Sequence, residues 1–306
     1  MKEPESMDIF GAQGANSAKV SNSHTTSRST TGTKELIDLT NYNLSDDKFF
    51  SVMMQQKEFC RKILEIILDK NFVSIEFNQV QTSLQTLPGY KSIRLDAFAV
   101  DKDGHRYNVE MQKRNNDDMP KRSRFYQGIL DASGLFQGSD QRYENMTDVY
   151  VIFITDFDIF GKGLYKYTFT NKCDEVQGLP LGDGATRIFL NLKGHDDNNV
   201  TQGLKDLLHF IQNTTSNFVS SDLKVQDLVR LVKNLKGSEE VRKLTMRTDW
   251  LEERARAEAR EEDILATLDI LSNLGISKEV AIQNLKESFK LTEEEALWYY
   301  SKHSAK

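Results

Sequence analysis

Cysteine is scarce, long apolar runs are absent and basic residues are outnumbered; each lack removes a class of protein. Two cysteines in 306 residues, Cys60 and Cys173, are too few and too far apart to imply a disulfide framework or a zinc site, so both read as ordinary thiols of a reducing compartment. The longest apolar stretch, VYVIFIT at 149–155, is far short of the roughly 20 residues a membrane helix needs. The N-terminus shows no basic segment followed by an apolar one, so a cytoplasmic protein without a membrane partner is expected. A formal net charge of −6 argues against a simple polycation and leaves any nucleic-acid contact to a local basic patch. The five histidines have no ligand spacing, and neither a glycine-rich phosphate loop nor a G-x-S-x-G elbow occurs. Reactions that need a nucleotide cofactor or a covalent serine intermediate are therefore poorly supported.

What is present, 38% hydrophobic residues, suffices for a substantial core. Residues 1–40 are rich in Ser, Thr, Gly and Asn and are expected to be disordered, because they cannot bury enough surface to order themselves. Residues 41–215 are expected to form an α/β domain. Phe49, Phe50, Met53, Met54, Phe59 and Ile63 recur at helical spacing, with Ser45 or Asp46 as N-cap, and predict one or two helices ending near Lys70. Strand-like pieces follow in FVSIEFNQVQ and in both arms of RLDAFAVDKDGHRYNVEMQ, with LPGYK as a turn between them. KRSRFYQGILDASGLF reads as a helix, DVYVIFITDFDIF as a strand buried on both faces, LYKYTFT and TRIFLNL as hairpin-like strands, and GLKDLLHFIQN as a helix. A mixed sheet of about four or five strands flanked by helices is the expected core. Residues 216–306 read as an all-helical extension. Its interleaved Glu and Arg at 252–262 favour a solvated helical face over a partner surface, although the length also suits a homo-oligomerisation arm.

The hairpin poses the functional question, because its apolar arms carry two carboxylates, Asp96 and Glu110. If DKDG is a three-residue loop, Lys102 to Gly104, with Gly104 at positive φ, the strands pair so that Asp96 lies directly across from Glu110 on one face. Cross-strand Cβ atoms are then about 5 Å apart. Arg94 falls across from Gln112 on the same face. A loop one residue shorter or longer would turn the acids to opposite faces. Two acids so close repel, and a cation or a shared proton is what usually offsets the repulsion. Oxygen donors suit Mg²⁺, and a metal held there would generate hydroxide and stabilise charge on a phosphate in transfer.

An acid on one strand, a turn, then Glu-x-Gln on the next, between two helices, resembles the PD-(D/E)xK nucleases. More narrowly, DKFF, IRLDAFAVDKDGHRYNVEMQ and KRSRFYQGIL followed by DVYVIFIT resemble the Rpn/YhgA recombination-promoting nucleases, also described as PD-(D/E)xK nuclease family transposases, over roughly residues 42–215. The resemblance implies a restriction-endonuclease-like core and a bacterial, metal-dependent DNA endonuclease tied to recombination or mobile elements. It implies that Asp96 and Glu110 bind Mg²⁺, with Mn²⁺ as an alternative, and that Gln112 occupies the usual lysine position. A lysine brings charge; a neutral amide donates hydrogen bonds without it. Lys113 is adjacent but belongs to the other face. The superfamily also places an acid on the first helix, for which Asp47 and Glu58 are candidates. The aromatic–polar pair Tyr126 and Gln127 matches the family, with Gln127 facing the site and Tyr126 packing on the sheet.

Between 113 and 124, Lys113, Arg114, Lys121, Arg122 and Arg124 stand against Asp117 and Asp118, a local basic excess placed to grip the DNA backbone. The competing reading is a catalytically inactive DNA-binding or assembly protein with the same fold.

Overall fold

The computed structural model describes residues 36–77, 83–84, 93–94, 97–115, 117–135, 142–195 and 199–304. The apolar repeat after residue 45 resolves into two helices, α1 (Asp47–Met54) and α2 (Lys57–Ile67). Asp46 is the cap: its side chain accepts the Phe49 N–H, one of the donors that a helix start leaves without an internal partner. Short strands β1 (Ile75–Phe77), β2 (Ser83–Leu84) and β3 (Ile93–Arg94) lead to a hairpin of β4 (Ala97–Asp101) and β5 (Arg106–Gln112). Then come α3 (Met119–Leu135), β6 (Val149–Thr155), β7 (Lys166–Phe169) and β8 (Ala185–Asn191). The chain finishes in α4 (Gln202–Gln212), α5 (Leu223–Gly237), α6 (Glu239–Asn273), α7 (Lys278–Phe289) and α8 (Glu293–Ser304). The LPGYK turn lies outside the described residues.

Six strands form one sheet in the order β1-β4-β5-β6-β8-β7, more than the four or five expected. Each of the six falls within a stretch that the sequence marks as strand-like, and the edge strands β1 and β7 are three and four residues long. β5, β6 and β8 are parallel neighbours and the other pairings are antiparallel, so the sheet is mixed. Parallel strands cannot be joined by a tight turn, and α3 makes the crossover from β5 to β6. β6 is central, and its continuous apolar run is buried on both faces.

The loop at 102–104 closes the hairpin as its composition predicts. Gly104 has φ +83°, and the Asp101 N–H donates to the His105 carbonyl at 3.1 Å. Ala97 pairs with Val109 and Phe98 with Asn108, the register that a three-residue loop requires. Because strand side chains alternate, β5 serves two compartments. Tyr107, Val109 and Met111 enter a large core with Phe49, Phe50, Leu64 and Leu207 on the side of α1, α2, α4 and α5. Asn108, Glu110 and Gln112 face the other side, where α3 contributes Met119, Tyr126 and Leu130 to a smaller core with Phe98, Val151, Phe153 and Phe189.

Within the segment expected to lack order, residues 1–35 lie outside the described residues, while Leu39 is buried in the large core. Val225, Leu228 and Val232 of α5 and Val241 of α6 join that same core. The far half of α6 packs Ile264 and Leu268 against Ala281, Ile282 and Leu285 of α7 and Ala296 of α8 in a separate cluster. Pairs Arg254–Glu258 and Arg256–Glu252 line the middle of α6; Arg254, Arg256 and Glu258 are exposed, whereas Glu252 is half-buried and also meets Lys48 of α1 at 2.7 Å.

Candidate active site

Glu110 is 2% exposed, held by β5 against the underside of α3. A carboxylate so deeply buried needs a partner, since desolvating an unpaired charge costs several kcal/mol or more. Arg122, from the start of α3, places Nη2 at 3.5 Å from Glu110 Oε2, and its Nη1 donates to Gln112 Oε1 at 3.0 Å. The guanidinium is itself held: Nε and Nη2 donate to the Tyr126 hydroxyl at 3.0 and 2.7 Å, one helical turn on. It lies 5.0 Å from the Tyr126 ring centre and 5.6 Å from that of Phe153 on β6. Burial pushes the Arg122 pKa down, but Tyr126 and Glu110 outweigh it and hold it above its ordinary value.

Two buried amides, one on β5 and one on α3, are under-satisfied. Asn108, two residues before Glu110 on the same face, is fully buried with neither amide atom bonded, and Gln127 on α3 has a buried Oε1 without a partner. Each such atom costs about 1–3 kcal/mol, which is why native proteins rarely leave one without a water, an ion or a role.

Other expected site residues are distributed more widely. Asp96 lies outside the described residues, and Arg94 is described only in its backbone. Asp47 is exposed on the first turn of α1, where its Oδ1 accepts the Lys48 N–H at 3.1 Å. Its neighbour Asp46 reaches the site strand instead, its Oδ2 lying 3.2 Å from Lys113 Nζ just beyond β5. Glu58 is not brought to Glu110. It is exposed on α2 and bonded to Arg61, which holds its carboxyl below the usual range. Lys62, beside it, points on to Asp227 of α5. Lys113, Arg114, Lys121 and Arg124 are exposed, whereas Arg122 turns inward. Tyr126 packs on the sheet 5.8 Å from Phe153. Asn108 went unnoticed in the sequence, although its spacing from Glu110 and Gln112 already set all three on one face. Arg122 was grouped with the outward basic residues, although its spacing from Tyr126 pointed to a shared face.

A second acidic group sits at the loop end of the hairpin, where ligand atoms of Asp101, Asp103 and His105 lie within 4.8 Å of one another. Asp101 is already saturated there. Its Oδ1 accepts the N–H groups of Asp103 and His105, each at 3.0 Å, and its Oδ2 takes the Tyr107 hydroxyl at 2.8 Å and faces His105 Nδ1 at 3.0 Å. Burial pushes the Asp101 carboxyl up, but hydrogen bonds from Tyr107 and His105 prevail and hold it below the ordinary value.

A mixed sheet covered by helices, with a buried acid on the strand that enters the crossover helix, defines a nuclease-like α/β protein. The chain belongs to the PD-(D/E)XK nuclease family transposases, whose family model matches residues 47–263, from α1 into α6. No curated protein and no solved structure matches it. Among the described residues, no helix is long and apolar enough to cross a membrane.

Proposed function

We propose that this protein is a metal-dependent DNA endonuclease, with Asp96 and Glu110 as metal ligands and Gln112 as the hydrogen-bonding group for the attacking water or the scissile phosphate. The observation that supports it most is the hairpin register, Ala97 with Val109 and Phe98 with Asn108, which is the register the pairing of those two acids requires. The donor chemistry agrees: Glu110 offers hard oxygens, and the unpartnered Asn108 amide beside it is suited to an ordered water or ion. When bound, a divalent ion supplies a water of lowered pKa and charge to match the phosphate. Among this chain's own groups, Gln112 orients, α3 covers the site, and Lys121 and Arg124 with the exposed 113–114 segment meet the DNA backbone. DNA breakage that promotes recombination or element movement is the setting that the family suggests.

Incubation with supercoiled plasmid and Mg²⁺ or Mn²⁺ tests the reading. Nicking is expected from the parent and is expected to vanish in both Asp96→Ala and Glu110→Ala. The competing reading is an inactive DNA-binding protein that keeps the same fold. Retention of DNA without cleavage under either metal would select that reading.

A further inference from the structure

Position 112 of β5 lacks the positive charge that the superfamily usually has there, and one guanidinium approaches the same place from α3. Among the side chains described, the other basic residues nearby do not reach it: Lys113 is engaged by Asp46, and Lys121 and Arg124 are exposed. We propose that Arg122 is a catalytic residue that supplies, from α3, the positive charge missing at position 112, and that it serves as the counter-ion of Glu110 until a divalent metal takes that carboxylate. The proposal rests on the nuclease reading and adds to it the group that meets the scissile phosphate.

The contacts of Arg122 are graded in strength. Those to Gln112 and Tyr126 span 2.7–3.0 Å, while that to Glu110 is 3.5 Å, beyond the range of a good hydrogen bond. Releasing Glu110 to a metal therefore leaves the guanidinium anchored beside Gln112. The donor so released points into the site, and a planar guanidinium matches phosphate oxygens. The side chain is already ordered between Tyr126 and Phe153, so little further freedom is lost when it meets the substrate.

The test uses the full chain with Arg122→Gln, with Gln112→Lys/Arg122→Gln, and with Arg122→Met, which keeps the apolar stem on Phe153 if the Gln variant fails to fold. Two readouts are taken: plasmid nicking at saturating Mg²⁺, and Mn²⁺ affinity by electron paramagnetic resonance. Removing Arg122 is expected to lower nicking about 100-fold. Mn²⁺ should bind at least as tightly as in the parent, because a competing cation has left Glu110. The double variant should regain about tenfold, since a lysine on β5 restores the charge. An Arg122 that merely buttresses Glu110 would behave differently: Mn²⁺ binding would weaken and the added Gln112→Lys change would rescue nothing, and either result overturns the proposal. A parent that binds Mn²⁺ but never nicks would sink the nuclease reading. In that case tighter Mn²⁺ binding without Arg122 still supports its counter-ion role, and weaker binding refutes it. A parent that does neither overturns both.

Discussion

The two ends of the β4–β5 hairpin carry similar residues and treat them in opposite ways. At the loop end, the Asp101 carboxylate has four hydrogen-bonding partners, all within six residues of it in sequence. At the other end, Arg122 approaches Glu110 from the next helix, and it is Asn108, two residues away on the same face, that has no partner for either amide atom. The loop end is the denser cluster of metal-ligating types, yet its lone pairs are already engaged in holding the turn. Saturation marks a structural role, and buried polarity left incomplete marks a place where something else binds. About five residues of strand, on the order of 17 Å, separate the two.

Removing the acid at each end in turn should give the largest contrast. Glu110→Ala is expected to abolish Mn²⁺ binding and lower plasmid nicking by at least about 100-fold. Asp101→Ala should leave both within about twofold; loss of Mn²⁺ binding there would reverse the comparison. Its expected cost is stability, about 2–3 kcal/mol in urea denaturation, because four donors lose a buried acceptor.

That contribution should also depend on pH. The folded Asp101 carboxyl lies below its ordinary value, so ionised Asp101 stabilises the fold above the unfolded pKa of about 4, and its contribution disappears as pH falls through the lower folded value. Asp101→Asn should therefore flatten the acid limb of the stability curve measured by denaturant titration, and an unchanged limb would argue against the saturated reading.

Gly104→Ala should cost about 1–2 kcal/mol, as the residue sits at φ +83° and an added Cβ would lie 3.2 Å from Thr147 Cγ2. Smallest of all, Lys121→Ala and Arg124→Ala should each reduce the slope of log affinity for DNA against log salt by about one, read by fluorescence anisotropy, with metal binding unchanged.

The hairpin was the most legible part of the sequence, because DKDG fixes loop length and loop length fixes which side chains share a face. The central strand was equally plain, since only a strand covered on both sides carries seven consecutive residues like VYVIFIT. The edge strands were legible in place, within FVSIEFNQVQ and LYKYTFT, but not in extent, since β7 occupies only Lys166–Phe169. The inward turn of Arg122 was hidden for a different reason. A count of charges in 113–124 gives a field but no direction, and the direction comes from where α3 lies on the sheet. The spacing of Arg122 from Tyr126 did hold that information, because residues four apart on a helix share a face.

One consequence follows from the way α3 is attached. Glu110 and Arg122 sit on either side of a single connection, the residues between Gln112 and Met119, while the sheet beneath is fixed by β6 and β8. Adding or deleting a residue in that connection would slide the guanidinium along or away from the acid without disturbing a strand pairing. The linker thus acts as a spacer, through which a lineage could retune the charge of its site while its architecture stays untouched.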